Sequence, residues 1–198
     1  QSKTMPDSIY QMRIVAGKKF EVVSLTSKDI DLSTNNYRQA FRKTPGIFVS
    51  EHDASGLQTS ISTRGLSANR SWEFNMRQNG YDISSDVFGY PEAYYTPPAD
   101  AVAKIEILRG ASSLQYGPQF GGMINYVFDA APTSNGSDMK FRQTIGSYNL
   151  INNFVSIGER KNKFSIYTFY HRRSADGWRQ NSAYHTQTGF VSLGYDFS

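Results

Sequence analysis

Alternating apolar and polar positions dominate the last third of the chain. In Met139–Ile145 the apolar residues fall on one face and Lys, Arg and Thr fall on the other, which is the pattern of a half-buried strand. The same alternation recurs in Leu150–Ile157, Phe164–Arg172 and Tyr184–Phe197, with polar or charged connections between the segments. The pattern predicts four antiparallel strands that follow one another as a meander.

A helical period replaces this alternation near residue 37. Tyr37, Ala40 and Phe41 stand at the i, i+3, i+4 spacing of one helix face, behind the polar cap Ser33–Asn36. The helix is predicted to end at Thr44-Pro45-Gly46, because proline disfavours helix at the residue before it and glycine suits a left-handed exit.

Short apolar runs between polar loops fill the rest of the first two thirds. They predict strands at Val22–Leu25, Ile47–Val49, Ser60–Arg64, Phe74–Gln78, Ile105–Leu108 and Met123–Val127. Asn79-Gly80 is a strong hairpin signal, and Asp100–Ala103 has the length of one helical turn. The linker Ala130–Gly136, rich in Pro, Ser, Asn and Gly, separates these elements from the meander.

The amino-acid composition limits the fold classes, partners and chemistry that are compatible with the chain. The 198 residues are 38% hydrophobic and 14% aromatic, which is enough for one or two domains with a core. The net charge of +4 comes from scattered basic residues, and the lack of a long basic run argues against nucleic acid as a partner. The absence of cysteine excludes disulfides, Cys-ligated zinc and a thiol nucleophile.

The four strands of the meander could belong to a membrane-spanning β-barrel. No apolar run approaches the roughly 20 residues of a membrane helix, but a barrel strand needs only about 10 alternating residues. Nothing at the N-terminus predicts a signal peptide, so we expect a cytosolic chain, a mature chain or a fragment. Because four strands are fewer than the roughly eight of the smallest membrane barrel, and an open meander exposes its edges, we expect the beginning of something larger.

Motifs of catalysis are missing from the sequence. The glycines of Ile105–Val127 do not fit the dinucleotide pattern Gly-x-Gly-x-x-Gly. The chain also lacks Gly-x-Ser-x-Gly, His-Glu-x-x-His and Walker patterns. We therefore predict that the protein is not an enzyme.

Four motifs stand in the order found in one family. They are Thr44-Pro45-Gly46-Ile47, Ile61-Ser62-Thr63-Arg64-Gly65, Asn79-Gly80, and the long run from Ile105-Glu106-Ile107-Leu108-Arg109-Gly110 through Tyr116-Gly117 to Gly121-Gly122-Met123-Ile124-Asn125. With them the chain resembles TonB-dependent outer-membrane receptors, in their plug domain and first barrel strands. Tyr116–Gln119 and Gly89–Glu92 resemble the ferric-dicitrate-type receptors most.

The resemblance implies an architecture. Residues 20–132 would form an α+β plug, a small mixed sheet with short helices, and residues 133–198 the first four antiparallel strands of a transmembrane barrel of about 22 strands. The plug would fill the barrel lumen in the bacterial outer membrane, in contact with outer-membrane lipid. Residues 1–19 would be a flexible segment that carries a TonB box.

The resemblance also implies a partner and an energy source. TonB, with its inner-membrane complex, pairs with a short segment before the plug by strand addition. Ile14, Val15 and Ala16 fit this segment by position, and the alternative is an ordinary first plug strand. No cofactor is expected, and iron enters only as part of a transported chelate.

Substrate would bind at the tips of the polar loops Glu51–Gly56, Leu66–Trp72 and Asp86–Tyr95. Cations, hydrogen-bond donors and aromatic rings in and near these loops suit an anionic ferric chelate, whereas the acidic residues among them hint at a different or metal-bearing ligand. The candidate residues are His52, Arg70, Trp72, Phe88, Tyr90, Glu92, Tyr94, Tyr95 and Gln119. The alternative for each is a solvated loop residue, or for the tyrosines packing against the barrel wall.

Charged residues of the motifs are candidates for locking plug to barrel. Arg64 and Arg109 each precede a glycine at a predicted strand end, and Glu106 is a third member. In the family such arginines pair with carboxylates of the barrel wall, and the alternative is a simple strand-end charge. His171 and His185 lie on neighbouring predicted strands and could approach each other, although a polar lumen or rim explains them better.

The leading hypothesis is active uptake of a scarce ligand, a ferric siderophore or a chelate like ferric citrate, by a TonB-dependent receptor. The alternative from another class is a β-rich adhesin or sensor that captures a glycan, with the aromatic loop Phe88–Tyr95 stacked on sugar rings.

Overall fold

The computed structural model describes residues 9–10, 13–14, 20–24, 32, 35–42, 44–51, 55–85 and 90–197. The chain divides into two compact units, one that extends to Phe128 and one that begins at Asp129.

The first unit contains one α-helix and nine strands among the described residues. They are β1 (Ile9–Tyr10), β2 (Arg13–Ile14), β3 (Phe20–Ser24), α1 (Tyr37–Phe41), β4 (Ile47–Ser50), β5 (Ser60–Thr63), β6 (Phe74–Gln78), β7 (Tyr81–Asp82), β8 (Val102–Leu108) and β9 (Gly122–Phe128). Short 3-10 turns lie at Asn69–Ser71, Ala99–Ala101 and Gly110–Ser113. The predicted helix and its cap are confirmed, since the Asn36 side chain accepts a hydrogen bond from the Arg38 N–H.

A five-stranded mixed sheet forms the centre of this unit, in the order β3-β8-β9-β6-β7. Only the β6–β9 pair is parallel, and the other pairs are antiparallel. Two smaller antiparallel pairs, β1–β2 and β4–β5, account for the remaining strands among the described residues of this unit.

One face of the central sheet is the apolar core. The register places Ile107 beside Ile124 and Ile105 beside Tyr126, and all four side chains are fully buried. The helix residue Tyr37 packs on this face, with its ring 5.3 Å from the Tyr126 ring in an edge-on contact. Burial of such large apolar side chains is the main stabilising contribution to a unit of this size.

The opposite face carries a buried polar row. Register places Arg77, Asn125 and Glu106 side by side on three adjacent strands. The Asn125 Nδ2 donates to Glu106 Oε2 at 2.8 Å, and Asn125 Oδ1 accepts from the Gly80 N–H at 2.8 Å. Lys104 Nζ lies 3.0 Å from Glu106 Oε1. These contacts give the buried carboxylate both a charge partner and a hydrogen-bond donor.

Arg77 joins this row to the hairpin turn and to the glycine-rich stretch. Its guanidinium donates to Asn75 Oδ1 and to the Gly80 carbonyl, each at 2.6 Å, and to the Tyr116 carbonyl at 3.2 Å. The Arg77 Cζ also lies 5.1 Å from the centre of the Tyr116 ring. One side chain therefore ties three separate segments together.

Asn125→Ala should destabilise the first unit by about 2 kcal/mol, because the buried Glu106 carboxylate and the Gly80 N–H each lose a partner. The measurement is the urea midpoint for loss of protease resistance of this unit. Asn69→Ala is the matched control, because Asn69 is exposed, and it should change the midpoint little. Equal midpoints for the two variants would show that the row contributes nothing.

The second unit is a four-stranded antiparallel meander. Its strands are β10 (Gly136–Gly146), β11 (Leu150–Lys161), β12 (Phe164–Ala175) and β13 (Tyr184–Tyr195), in that order. The predicted end of the second meander strand at Ile157 is wrong, since β11 continues through the charged residues to Lys161. Glu159 and Arg160 interrupt the apolar alternation there, yet both are paired in register with β10 and with β12.

The predicted fold class is confirmed by this pairing of a mixed-sheet unit with a four-stranded meander. Alternation along β11 and β12 separates the two faces of the meander. Phe154, Phe169 and His171 on one face are buried, whereas Ile157 and Tyr170 on the other are exposed.

Candidate functional site

Three loops of the first unit converge through backbone and side-chain hydrogen bonds. The Thr96 N–H donates to the Leu57 carbonyl at 3.1 Å, which joins the third loop to the first. The Ala93 N–H donates to the Arg70 carbonyl at 2.8 Å, which joins the third loop to the second. Gln58 Nε2 adds a bond to the Ala93 carbonyl at 2.9 Å. These bonds hold the described parts of the three loops, and the residues that flank them, together.

A tight turn held by two serines presents Arg70. Arg70 and Ser71 both adopt left-handed φ values, 49° and 53°. Ser60 Oγ accepts from the Arg70 N–H at 3.1 Å, and the buried Ser71 Oγ donates to the Thr59 carbonyl and accepts from the Ile61 N–H, both at 2.9 Å. These bonds offset the strain of two consecutive left-handed residues.

Arg70, Glu92 and Tyr94 form a charged cluster on these loops, called here the tip cluster. Arg70 Nη1 donates to Glu92 Oε2 at 3.3 Å and to the Tyr94 hydroxyl at 3.0 Å. The Tyr94 hydroxyl donates in turn to Glu92 Oε2, and the Arg70 Cζ lies 4.9 Å from the centre of the Tyr94 ring. The Arg70 side chain keeps 43% of its surface exposed and that of Glu92 keeps 19%.

The cluster changes the acidity of all three groups. The hydrogen bond from Tyr94, followed by that from Arg70, lowers the pKa of Glu92. The hydrogen bond to Glu92 raises the pKa of Arg70 and that of Tyr94. Because the Glu92 pKa is lowered by folding, the pairing is present at neutral pH and is lost as the pH falls through that lowered pKa.

Other predicted substrate residues lie on the same loops. Trp72 is 45% exposed, Tyr90 is 58% exposed and Tyr94 is 48% exposed. Tyr95 is half-buried. His52 and Phe88 lie outside the described residues. The structure thus brings Arg70, Glu92 and Tyr94 of the predicted set into contact, and it leaves Trp72 and Tyr90 exposed on the same loops.

Gln119 occupies a different environment. It is only 8% exposed and packs against Gly117, where an added Cβ would lie 2.3 Å from Gln119 Oε1. The same Cβ position lies 3.0 Å from Asn75 Nδ2, so Gln119 adjoins the polar row of the sheet. Its role in binding stays a prediction.

The predicted locking residues differ in their surroundings. Arg64 is exposed with φ 55°, and Arg109 is half-buried. Glu106 is 1% exposed and contacts Lys104 and Asn125, which belong to the same unit. A locking role stays a prediction for all three.

The predicted TonB segment is described only in part. Ile14 pairs with Ile9 in the short β1–β2 ladder, and Val15 and Ala16 lie outside the described residues. The assignment of Ile14–Ala16 to TonB stays a prediction.

The proximity considered for the two histidines of the meander is wrong. Register pairs His171 with Thr188 and His185 with Ser174, which places the two side chains on opposite faces of the sheet. His171 Nε2 lies 2.7 Å from Asn152 Oδ1 on the buried face, and His185 is exposed.

Sequence reasoning missed the residues that hold the site together. Ser60 is the first residue of β5 and Ser71 the last of a 3-10 turn, and nothing in the local pattern marks a serine at such a position as a support of the site. The polar row was detectable in principle, since Asn75 and Arg77 alternate with Phe74 and Met76 along β6.

The described residues contain neither a membrane-spanning helix nor a cluster of metal ligands. None of the described helices is long and apolar enough to cross a membrane. In the same part of the chain, no three His, Asp or Glu side chains gather as metal ligands would.

Comparisons with known proteins agree with this architecture. The family described as TonB-dependent Receptor Plug Domain matches residues 18–123. The ferric citrate transporter FecA in its unliganded form is 20% identical with a TM-score of 0.66, over 89% of this chain and 28% of that one. The pyoverdine receptor FpvA from Pseudomonas aeruginosa PAO1, bound to pyoverdine, is 19% identical with a TM-score of 0.66, over 90% and 25%.

A third solved structure, the copper transporter OprC, is 14% identical with a TM-score of 0.64, over 90% of this chain and 28% of that one. The chain therefore spans only 25 to 28% of the length of these three proteins. The fold they share contains a plug-like mixed sheet followed by an antiparallel meander. Because the family match covers more than half of the chain, the chain belongs to the plug-domain family of TonB-dependent receptors, which are proteins of the bacterial outer membrane.

Proposed function

We propose that this chain supplies the plug and the first barrel strands of a receptor that takes up an anionic ferric chelate across the outer membrane. TonB drives the uptake through the segment around Ile14–Ala16, and the plug closes the barrel until it is remodelled. Two of the similar structures are a ferric citrate transporter and a receptor bound to pyoverdine, which supports a chelate of this class.

The tip cluster carries the proposal. Arg70 presents an exposed guanidinium whose present acceptors are the Glu92 carboxylate and the Tyr94 hydroxyl. A carboxylate of the chelate can replace Glu92 as the acceptor, because guanidinium binds carboxylates with similar geometry wherever they come from. Glu92 keeps the arginine oriented when no ligand is bound, and the exposed rings of Trp72 and Tyr90 offer flat apolar surface on the same loops.

The proposed partners follow from the same reasoning. They are TonB, the chelate and the lipid of the outer membrane, and nucleic acid is not among them. Iron belongs to the transported ligand, and no resident cofactor or catalytic step is assigned to the chain.

Arg70→Ala and Glu92→Gln should change ligand affinity in opposite directions. Loss of the guanidinium should weaken binding of ferric dicitrate about tenfold, because one charge-assisted contact is lost. Neutralising Glu92 should strengthen binding about threefold, because the chelate no longer competes with a fixed carboxylate for Arg70. The measurement is titration calorimetry on the full-length receptor at neutral pH.

The directions of the affinity changes in Arg70→Ala and Glu92→Gln identify the charge of the ligand. Reversed signs would show that a cationic ligand binds here, and equal losses in both variants would show that the cluster only supports the loops. Tyr81→Ala is the control, because Tyr81 is 71% exposed on β7 outside the three loops.

A further inference from the structure

Side chains on the exposed face of the meander fall into rows defined by the strand register. Two neighbouring rows carry no charge: Met139, Ile157, Thr168 and Val191 form the first, and Phe141, Val155, Tyr170 and Gly189 form the second. The large apolar members are exposed, with Phe141 at 68% and Val191 at 63%. A band of this composition on a barrel wall faces lipid chains.

The next row along the same face is polar on all four strands. It consists of Gln143, Asn153, Arg172 and Gln187, called here the polar outer row. Arg172 is exposed and lies two residues beyond Tyr170, so the charge directly follows the apolar band. An arginine in this position suits the level of lipid head groups, with its stem beside the chains.

The lengths of the connections indicate which end of the sheet this row approaches. The β11–β12 turn contains only Asn162 and Lys163. At the other end, residues 147–149 connect β10 to β11 and the longer segment 176–183 connects β12 to β13. Outer-membrane barrels have short turns on the periplasmic side and longer loops on the extracellular side. The polar outer row therefore lies toward the outer leaflet.

A groove of about 460 Å³ lies beyond the polar outer row at the same end. The next row of the face consists of Ile145, Ile151, Ser174 and His185, and the last three of these line the groove. Asn149 and Asp176 line it from the connections, and the Asn149 amide donates to the Asp176 carboxylate. The groove thus offers hydrogen-bonding groups of the kind that bind sugar hydroxyls.

Two arginines at this end of the sheet, Arg172 and Arg179, favour an anion there, although neither lines the groove itself. Arg179 lies on the connecting loop with its Cζ 4.2 Å from the centre of the Trp178 ring, and Trp178 is 58% exposed. An exposed tryptophan beside an arginine is typical of the membrane–water interface. Arg172 and Arg179 outnumber the acidic Asp176, whose carboxylate already accepts a hydrogen bond from Asn149.

We propose that the polar outer row and the groove bind the head group of a phosphorylated glycolipid of the outer leaflet. Arg172 contacts a phosphate, Gln187 and Asn153 supply further donors, and the groove accepts a sugar ring. The acyl chains lie on the apolar band. This inference rests on the proposed function in one respect, that the meander is part of a barrel wall.

Arg172→Ala should weaken binding of bis-phosphorylated lipid A to the full-length receptor about tenfold, measured by native mass spectrometry from detergent. Lys161→Ala is the matched control, since Lys161 lies in register on the same face at the short-turn end, and its effect should stay within about twofold. Lipid A without phosphates should bind the unaltered receptor as weakly as intact lipid A binds the Arg172→Ala variant.

Equal lipid A affinity in the Arg172→Ala variant and the unaltered receptor would overturn the inference, and so would equal affinity for the dephosphorylated lipid. If Arg172→Ala fails to fold, Gln187→Ala serves instead and should weaken binding about threefold. Calorimetry with ferric dicitrate on the same preparations separates the two proposals. Failure of chelate binding would count against the proposed function and leave the lipid result standing.

Discussion

Gly122→Ala should leave the first unit without a stable fold. Gly122 begins β9 with φ +129°, and an added Cβ would lie 2.2 Å from the Leu108 carbonyl oxygen on β8. Both strands are interior members of the five-stranded sheet, so neither can move away from the other without losing hydrogen bonds to its neighbouring strands. We expect a loss of more than about 3 kcal/mol, a large part of the stability of a typical domain.

Limited proteolysis of the first unit across a urea series measures this loss. Gly46→Ala is the control, because Gly46 has φ +75° with nothing within 4 Å of an added Cβ. That variant should lose only about 1 kcal/mol, from backbone strain alone. Equal losses at the two positions would mean that the close approach of β8 and β9 is not what requires glycine.

Deletion of residues 14–17 should abolish uptake in cells and leave ligand affinity nearly unchanged. In the proposed function, this segment couples the receptor to TonB by strand addition, whereas the ligand is bound by the tip cluster of Arg70, Glu92 and Tyr94. Uptake of radioactive ferric dicitrate by cells and calorimetry on the purified receptor measure the two properties separately.

The deletion requires a control for expression and insertion. A replacement of residues 14–17 by four glycines keeps the chain length and should abolish uptake to the same extent. Parallel loss of affinity and uptake would assign the segment to the structure of the plug, as an ordinary first strand.

Local patterns in the sequence predicted most elements of the fold. The helix Tyr37–Phe41 was detectable because its cap and its spacing are encoded within a few residues. The hairpin at Asn79-Gly80 was detectable for the same reason, and both residues of the turn have the positive φ that this dipeptide favours.

Pairings between distant segments were not predictable in this way. The parallel contact of Phe74–Gln78 with Gly122–Phe128 joins strands far apart in the chain, and periodicity carries no information about strand order. The extension of β11 to Lys161 was missed because charged residues are tolerated at a strand end.

The sequence allowed the residues of the tip cluster to be chosen as candidates, but it did not predict that they contact one another. Loop position and residue type pointed to Arg70, Glu92 and Tyr94 separately. Their contact depends on the bond between the Ala93 N–H and the Arg70 carbonyl, which connects loops 23 residues apart. The awkward presence of an acidic residue beside a proposed anion site has a physical explanation, since Glu92 is the partner that holds Arg70.

Mass spectrometry of the ligand that co-purifies with the full-length receptor tests the central claim most directly. The receptor is purified from iron-starved cells, and the bound molecule is released and identified. The account predicts an iron-bearing anionic chelate that is absent or strongly depleted in the Arg70→Ala preparation. A neutral glycan, or an iron chelate retained equally by the Arg70→Ala variant, would contradict it.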